Sequence, residues 1–140
     1  SYRRSNEEEG KFAADLGNKS SIFFSQNEKN SWIQYNFKEK KIKPTHYSIR
    51  TTHYKGKGLS RPLNWIIKGS NTRKDDWTTL DRRNNVTELD GESIVRTFEL
   101  QENIKSNEYY QYIRLKQIGK TSGNTYNLVL SALGFFGYVK

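Results

Sequence analysis

Two tryptophans stand on either side of a Gly69-Ser70-Asn71 turn. One lies in Leu63-Asn64-Trp65-Ile66-Ile67-Lys68, the other in Asp76-Trp77-Thr78-Thr79-Leu80-Asp81. Large aromatics and β-branched residues on both arms of a turn suit a pleated, half-buried surface far better than a helix. Leu63, Trp65 and Ile67 fall on one face of the first arm, which is the period-two signature of a strand with one side in a core.

The same period recurs along the chain. Ile33, Tyr35 and Phe37 share a face, with Gln34 and Asn36 opposite. Tyr47, Ile49 and Thr51 oppose His46, Ser48 and Arg50, and Pro44 is expected just ahead of that strand, where a missing N–H does little harm. Ile94, Phe98 and Leu100 oppose Thr97. Over 109–116, Tyr109, Gln111, Ile113 and Leu115 alternate with Tyr110, Tyr112, Arg114 and Lys116. The stretch 128–138 is apolar on both faces, as a central strand buried between layers would be. No segment of ordinary helical length shows apolar residues at i, i+3 and i+4. Turn-forming loops are expected at 53–62, 71–76, 82–93 and 119–127. The fold class is therefore all-β, an antiparallel β-sandwich. Residues 1–11 read as an irregular N-terminal segment and 12–140 as one domain, with no internal repeat or linker.

Composition fits a small aromatic core: nine Tyr, seven Phe and three Trp among 140 residues. There is no cysteine, so disulfides, cysteine-ligated zinc and a cysteine nucleophile are excluded. Lack of disulfides in a domain of this size favours an intracellular, cytoplasmic location, with an extracellular one left open. No apolar run is long enough to span a bilayer, and no signal-peptide core is present. The net charge of +9 is compatible with nucleic acid, anionic lipid or an acidic protein. It is spread along the chain, however, and not packed into a footprint.

Six blocks in order carry a family resemblance. They are Ser31-Trp32-Ile33-Gln34-Tyr35-Asn36-Phe37, Pro44-Thr45-His46-Tyr47-Ser48-Ile49-Arg50, the 63–71 arm, Trp77-Thr78-Thr79-Leu80-Asp81, Tyr112-Ile113-Arg114-Leu115, and Leu130-Ser131-Ala132-Leu133-Gly134-Phe135-Phe136-Gly137. Together they resemble the discoidin domain, also called the coagulation-factor type C domain, over about residues 12–138. The wording of 78–83 and 112–115 is similar to the intracellular branch found with BTB, ankyrin or ubiquitin-ligase modules in protists. The resemblance implies a galactose-binding-like jelly roll that binds through loops at one end of the barrel and does no catalysis. It leaves the ligand open, because function lives in the site and not in the fold. Typical members carry a strand ahead of the position of Ser1, so that strand is expected to be missing or replaced. Extracellular members also carry a Cys pair that this chain lacks. Some members hold a structural calcium near the first loops, where Asp15 and Asn18 stand; too few carboxylates gather there to predict one.

The loop His53-Tyr54-Lys55-Gly56-Lys57-Gly58-Leu59-Ser60-Arg61-Pro62 is the leading ligand-binding candidate. It gathers three cations and a Tyr, and Gly56 and Gly58 let backbone amides approach an anion. The signature of a phosphate-binding P-loop is absent. A solvated loop is the competing reading. The second candidate is Gly119-Lys120-Thr121-Ser122-Gly123-Asn124-Thr125-Tyr126-Asn127, where Lys120, Asn124 and Tyr126 could contact a sugar or peptide. Plain turn chemistry competes with that. The expected ligand-binding residues are His53, Tyr54, Lys55, Lys57, Arg61, Lys120, Asn124 and Tyr126.

The other candidates read as structure. Trp32, Trp65 and Trp77 are expected in the core. Arg82 and Arg83 are expected to end a strand beside Asp81, and Arg114 to be paired or stacked on a sheet face. His46 and His53 are spaced for opposite faces, which argues against a shared metal. Asn71, Asp75 and Asp76 offer hard oxygens that could bind calcium, and calcium binding is left open. Asn18-Lys19-Ser20 and Asn85-Val86-Thr87 are glycosylation sequons that matter only if the chain is secreted. No catalytic constellation, metal site or cofactor is assigned. The leading expectation is a recognition module for a protein or peptide partner. Carbohydrate is the first alternative, and an anionic lipid or nucleic acid the second. The oligomeric state is left open.

Overall fold

The computed structural model describes residues 2–5, 23–24, 28–51, 61–90, 94–101 and 108–140. Its strands are β1 (Tyr2–Ser5), β2 (Phe23–Phe24), β3 (Trp32–Asn36), β4 (Ile42–Arg50), β5 (Trp65–Ser70), β6 (Thr78–Arg83), β7 (Val95–Glu99), β8 (Tyr112–Gln117), β9 (Val129–Leu130) and β10 (Ala132–Val139). Five of them form a sheet in the order β1-β3-β8-β5-β6, three form a sheet in the order β10-β4-β7, and β2 pairs with β9. Every pairing is antiparallel except β1 with β3. No helix of the described residues is long and apolar enough to cross a membrane.

Alternation places the core. Ile33 and Tyr35, Trp65 and Ile67, and Ile113 and Leu115 face inward from the five-stranded sheet. They meet Tyr47, Ile49, Phe98, Leu133 and Phe135 of the three-stranded one. The aromatics lock the layers: Tyr35 lies edge-on to Phe135 at 5.3 Å and Trp65 edge-on to Phe98 at 5.4 Å, while Tyr47 stacks on Phe98 within the three-stranded sheet at 5.3 Å. The Tyr35 hydroxyl donates to the Leu133 carbonyl across the sandwich. Each such side chain contributes about 1.5–3 kcal/mol by leaving water.

Five expectations are corrected. Trp32 and Trp77 are not core residues; both are half-buried outside the sandwich, because each ring covers the guanidinium of Arg114. Pro44 lies inside β4 rather than ahead of it. It sits at a bulge where the β10 register jumps from Phe136↔His46 to Gly137↔Pro44, so one residue of the ladder is already unpaired. Tyr110 is buried although period two from Ile113 points it outward. Pairing is irregular there, with a lone bridge from Ile42 to Tyr110, and the Tyr110 ring fills the space that a Cβ on Gly69 would need. The apolar tail divides into β9 and β10, and among the described strands β10 is marginal in its sheet, not central. Finally, residues 2–5 form a strand inside the segment expected to be irregular. Backbone pairing to the open edge of β3 produces it, and that needs no side-chain pattern.

Candidate functional site

β3 and β5 begin at the same end of the five-stranded sheet at which β6 and β8 finish. The connections at 28–31, 61–64, 84–86 and 118–127 therefore cluster there. Asn64 clamps them. Its Oδ1 accepts from the Asn85 amide at 2.9 Å, its Nδ2 donates to the Lys120 carbonyl at 3.3 Å, and its own carbonyl accepts from the Ile118 amide at 3.0 Å. The 28–31 turn is tied in by the Gln117 amide, which donates to the Ser31 carbonyl at 2.8 Å.

The 119–127 loop is held by its own residues. Thr121 is buried, and its Oγ1 accepts from the Gly123 and Thr125 amides at 3.2 and 3.3 Å. Its amide donates to the Thr125 carbonyl at 2.8 Å, and Asn124 takes a left-handed φ of 60°, which asparagine tolerates better than most residues. The buried Gln117 amide group donates to the carbonyls of Tyr126 and Asn127 at 2.8 and 2.9 Å. Gln117 thereby fixes the backbone that carries the Tyr126 ring. Lys29 and Lys120 approach that ring to 5.5 and 5.9 Å from its centroid. Together with Asn30, Ile118 and Gly119 they line a cleft of about 230 Å³.

Lys120, Asn124 and Tyr126 thus share one loop end. Arg61 is joined to them: its amide donates to Ser122 Oγ at 2.8 Å and its carbonyl accepts from the Ser122 amide at 3.0 Å. Arg61 is only 8 % exposed, so it fastens the two loops to each other rather than presenting a cation to solvent. His53, Tyr54, Lys55 and Lys57 lie outside the described residues. Lys29, Asn30 and Asn64 were not singled out from sequence, because a polar residue in a turn carries no mark of which neighbour it will meet.

A second feature lies on the outer face of the five-stranded sheet. The Arg114 guanidinium is held between Trp32 and Trp77, 4.0 and 4.1 Å from the two ring centroids. Gln34 Oε1 accepts from its terminal nitrogen at 2.8 Å. Arg114 is stacked, as expected, and the stacking explains how two tryptophans are satisfied outside the core.

No family model matches the chain, and no curated protein matches it. Solved structures do. The CpGH89CBM32-5 module of Clostridium perfringens, in complex with GalNAc-β-1,3-galactose, superposes with a TM-score of 0.63 at 11% identity, covering 86% of this chain and 78% of that one. The F5/8 type C domain of a Bacteroides fragilis protein gives 0.62 at 12% identity, with 87% and 76% covered. CBM62 of Clostridium thermocellum Xyl5A gives 0.60 at 16% identity, with 93% and 95% covered. The fold is a galactose-binding-like jelly roll.

Two acidic residues stabilise this jelly roll. Asp81 is fully buried and bonded to Tyr47, Arg83 and the Gln101 amide. Burial, followed by the hydrogen bond to Asp81, pushes the Tyr47 phenol above the ordinary tyrosine range. Arg83 therefore belongs to structure, as the Asp81-Arg82-Arg83 spacing suggested. Asp76 closes the β5–β6 turn. It accepts from Thr72 Oγ1 at 2.6 Å, from the Asn71 and Thr72 amides at 2.9 and 3.2 Å, and from the Ser70 hydroxyl. Those donors engage both carboxylate oxygens, so Asp76 acts as a turn clamp.

The Ser70 and Thr72 hydroxyls, with help from the backbone amides, hold the Asp76 carboxyl well below its ordinary value. A folded pKa below the unfolded one gives stability that is fully present above the unfolded value and lost as pH falls toward the folded one. Acid titration of stability should therefore steepen below about pH 4. In Asp76→Asn that part of the acid limb should flatten, as read by urea midpoints across pH.

Proposed function

We propose that this chain is a non-catalytic carbohydrate-binding module whose sugar site is the loop end around Tyr126. The observation that carries this reading is the cleft lined by Tyr126, Lys29, Lys120 and Asn30, with the two ammonium groups 5.5 and 5.9 Å from the ring centroid. A pyranose offers an apolar C–H face and equatorial hydroxyls. A fixed ring takes the first and the ammonium and amide groups take the second, with little ordering left to be done on binding. Modules of the same fold solved with GalNAc-β-1,3-galactose and with the Lewis B antigen support it. Carbohydrate is accordingly better supported than the protein or peptide partner expected from sequence. Lys120 lines the cleft, and Asn124 of the same loop, with His53, Tyr54, Lys55 and Lys57, is proposed to complete it.

Isothermal titration with GalNAc-β-1,3-galactose and with galactose tests the reading. The wild type should bind at least one of them, and Tyr126→Ala should weaken binding about tenfold, near 1.4 kcal/mol. Unchanged affinity in Tyr126→Ala would remove this cleft from consideration.

A further inference from the structure

We propose that the outer face of the five-stranded sheet is a second ligand surface, which binds an acidic polysaccharide through the sulfate or carboxylate groups of its repeat. The register builds this surface from three adjacent strands. Lys68 of β5 lies directly opposite Arg114 of β8, and Ile66 lies between Lys116 of β8 and Arg82 of β6. Alternation turns all four cations to the side away from the core, since Ile67, Ile113 and Leu115 face inward. Side chains opposite one another on neighbouring strands are roughly 5 Å apart at Cβ, and like charges placed so repel. Among the described residues no carboxylate approaches Lys68, Arg82 or Lys116 within ion-pair distance. Burial, and then the charges of Lys116, Arg114 and Arg82, hold the Lys68 ammonium below the ordinary lysine range. The face therefore has an electrostatic cost that a row of oxyanions would relieve.

The surroundings select among polyanions. Single-stranded nucleic acid needs aromatic faces on which bases stack. Here Trp32 and Trp77 each have a face against Arg114, and the Tyr112 ring is covered by Arg73 at 4.9 Å. A lipid surface needs apolar side chains beside the cations. Among the described residues the exposed large hydrophobics, Val95 and Tyr138, belong to β7 and β10 of the other sheet. A charged polysaccharide needs neither, only spaced cations on a broad face.

The test compares the triple variant K68Q, R82Q and K116Q with a control that removes the same charge elsewhere, K41Q, R96Q and K140Q. Probes are dextran sulfate, polygalacturonate, single-stranded DNA and phosphatidylserine vesicles. The wild type should bind one or both polysaccharides more tightly than the DNA or the vesicles. The outer-face variant should lose about tenfold or more in affinity, and its melting temperature should not fall. The control should bind as the wild type does. Binding of galactosides at the loop end should persist in the outer-face variant, so this inference and the reading of the Tyr126 cleft can fail separately. Equal losses in both triple variants would reduce the effect to net charge and overturn the proposal. So would unchanged binding in the outer-face variant, absence of polysaccharide binding by the wild type, or tighter binding of DNA or vesicles.

Discussion

Replacing Asp81 with alanine is expected to destabilise the fold by about 3–5 kcal/mol, the range for stripping one partner from a buried ion pair. The carboxylate is 0 % exposed and is shared by three donors from different parts of the sandwich. Tyr47 Oη donates from β4 at 2.5 Å, Arg83 Nε from β6 itself at 2.9 Å, and the Gln101 amide beyond β7 at 3.3 Å. The network continues inward, because Trp65 Nε1 donates to the Tyr47 oxygen at 2.8 Å. Alanine leaves a guanidinium without its counter-charge and a core phenol without its acceptor. Tyr47 is fully buried, so its phenol cannot turn to water, while the Arg83 guanidinium lies over Phe98 at 5.2 Å. Urea unfolding with an unchanged slope gives the measurement. A loss below about 1 kcal/mol would mean that the pair merely offsets its own desolvation. Tyr47→Phe should cost less, about 1–3 kcal/mol, since it leaves unsatisfied polar groups but no unpaired charge.

Among the described residues, Gly137→Ala is expected to be the most damaging single added methyl, at about 3 kcal/mol, the upper part of the usual overpacking range. A Cβ there would stand 2.1 Å from the Lys43 carbonyl oxygen and 2.8 Å from the Pro44 Cα. Both are backbone atoms, so no rotamer change relieves the contact. The strands β4 and β10 would have to part at the bulge that Pro44 requires. Differential scanning calorimetry should show a melting temperature lower by roughly 10 °C for a domain of this size. A shift of a degree or two would mean that the bulge gives way easily. Gly69→Ala probes the same packing more gently, because the obstacle is the Tyr110 ring and not backbone.

The strands were legible because each has one dry face. Ile33 with Tyr35, Tyr47 with Ile49, and Trp65 with Ile67 read as inward pairs and are inward pairs. Reading burial from side-chain size or period fails where something other than burial satisfies a large side chain or where the ladder lapses. Trp32 and Trp77 stay outside because a guanidinium occupies their faces, and no linear pattern reveals that Arg114 will lie between two rings 45 residues apart in the chain. It fails again at Tyr110, where the ladder lapses and the missing side chain of Gly69 makes room. At the loop end, composition marked Lys120, Asn124 and Tyr126, since Gly, Ser and Asn announce a turn. The residues that fix the site, Asn64 and Gln117, act through backbone carbonyls and amides of distant loops. Arg61 looked like a free cation, yet its backbone exchange with Ser122 draws it under cover.

The sharpest test of the carbohydrate reading is an amide NMR titration of the protein with GalNAc-β-1,3-galactose. The account predicts shifts concentrated at Lys29, Asn30, Gly119, Lys120 and Tyr126, with the outer-face residues Lys68 and Arg82 unmoved. Shifts centred on the outer face, or no shifts with any galactoside, would contradict it.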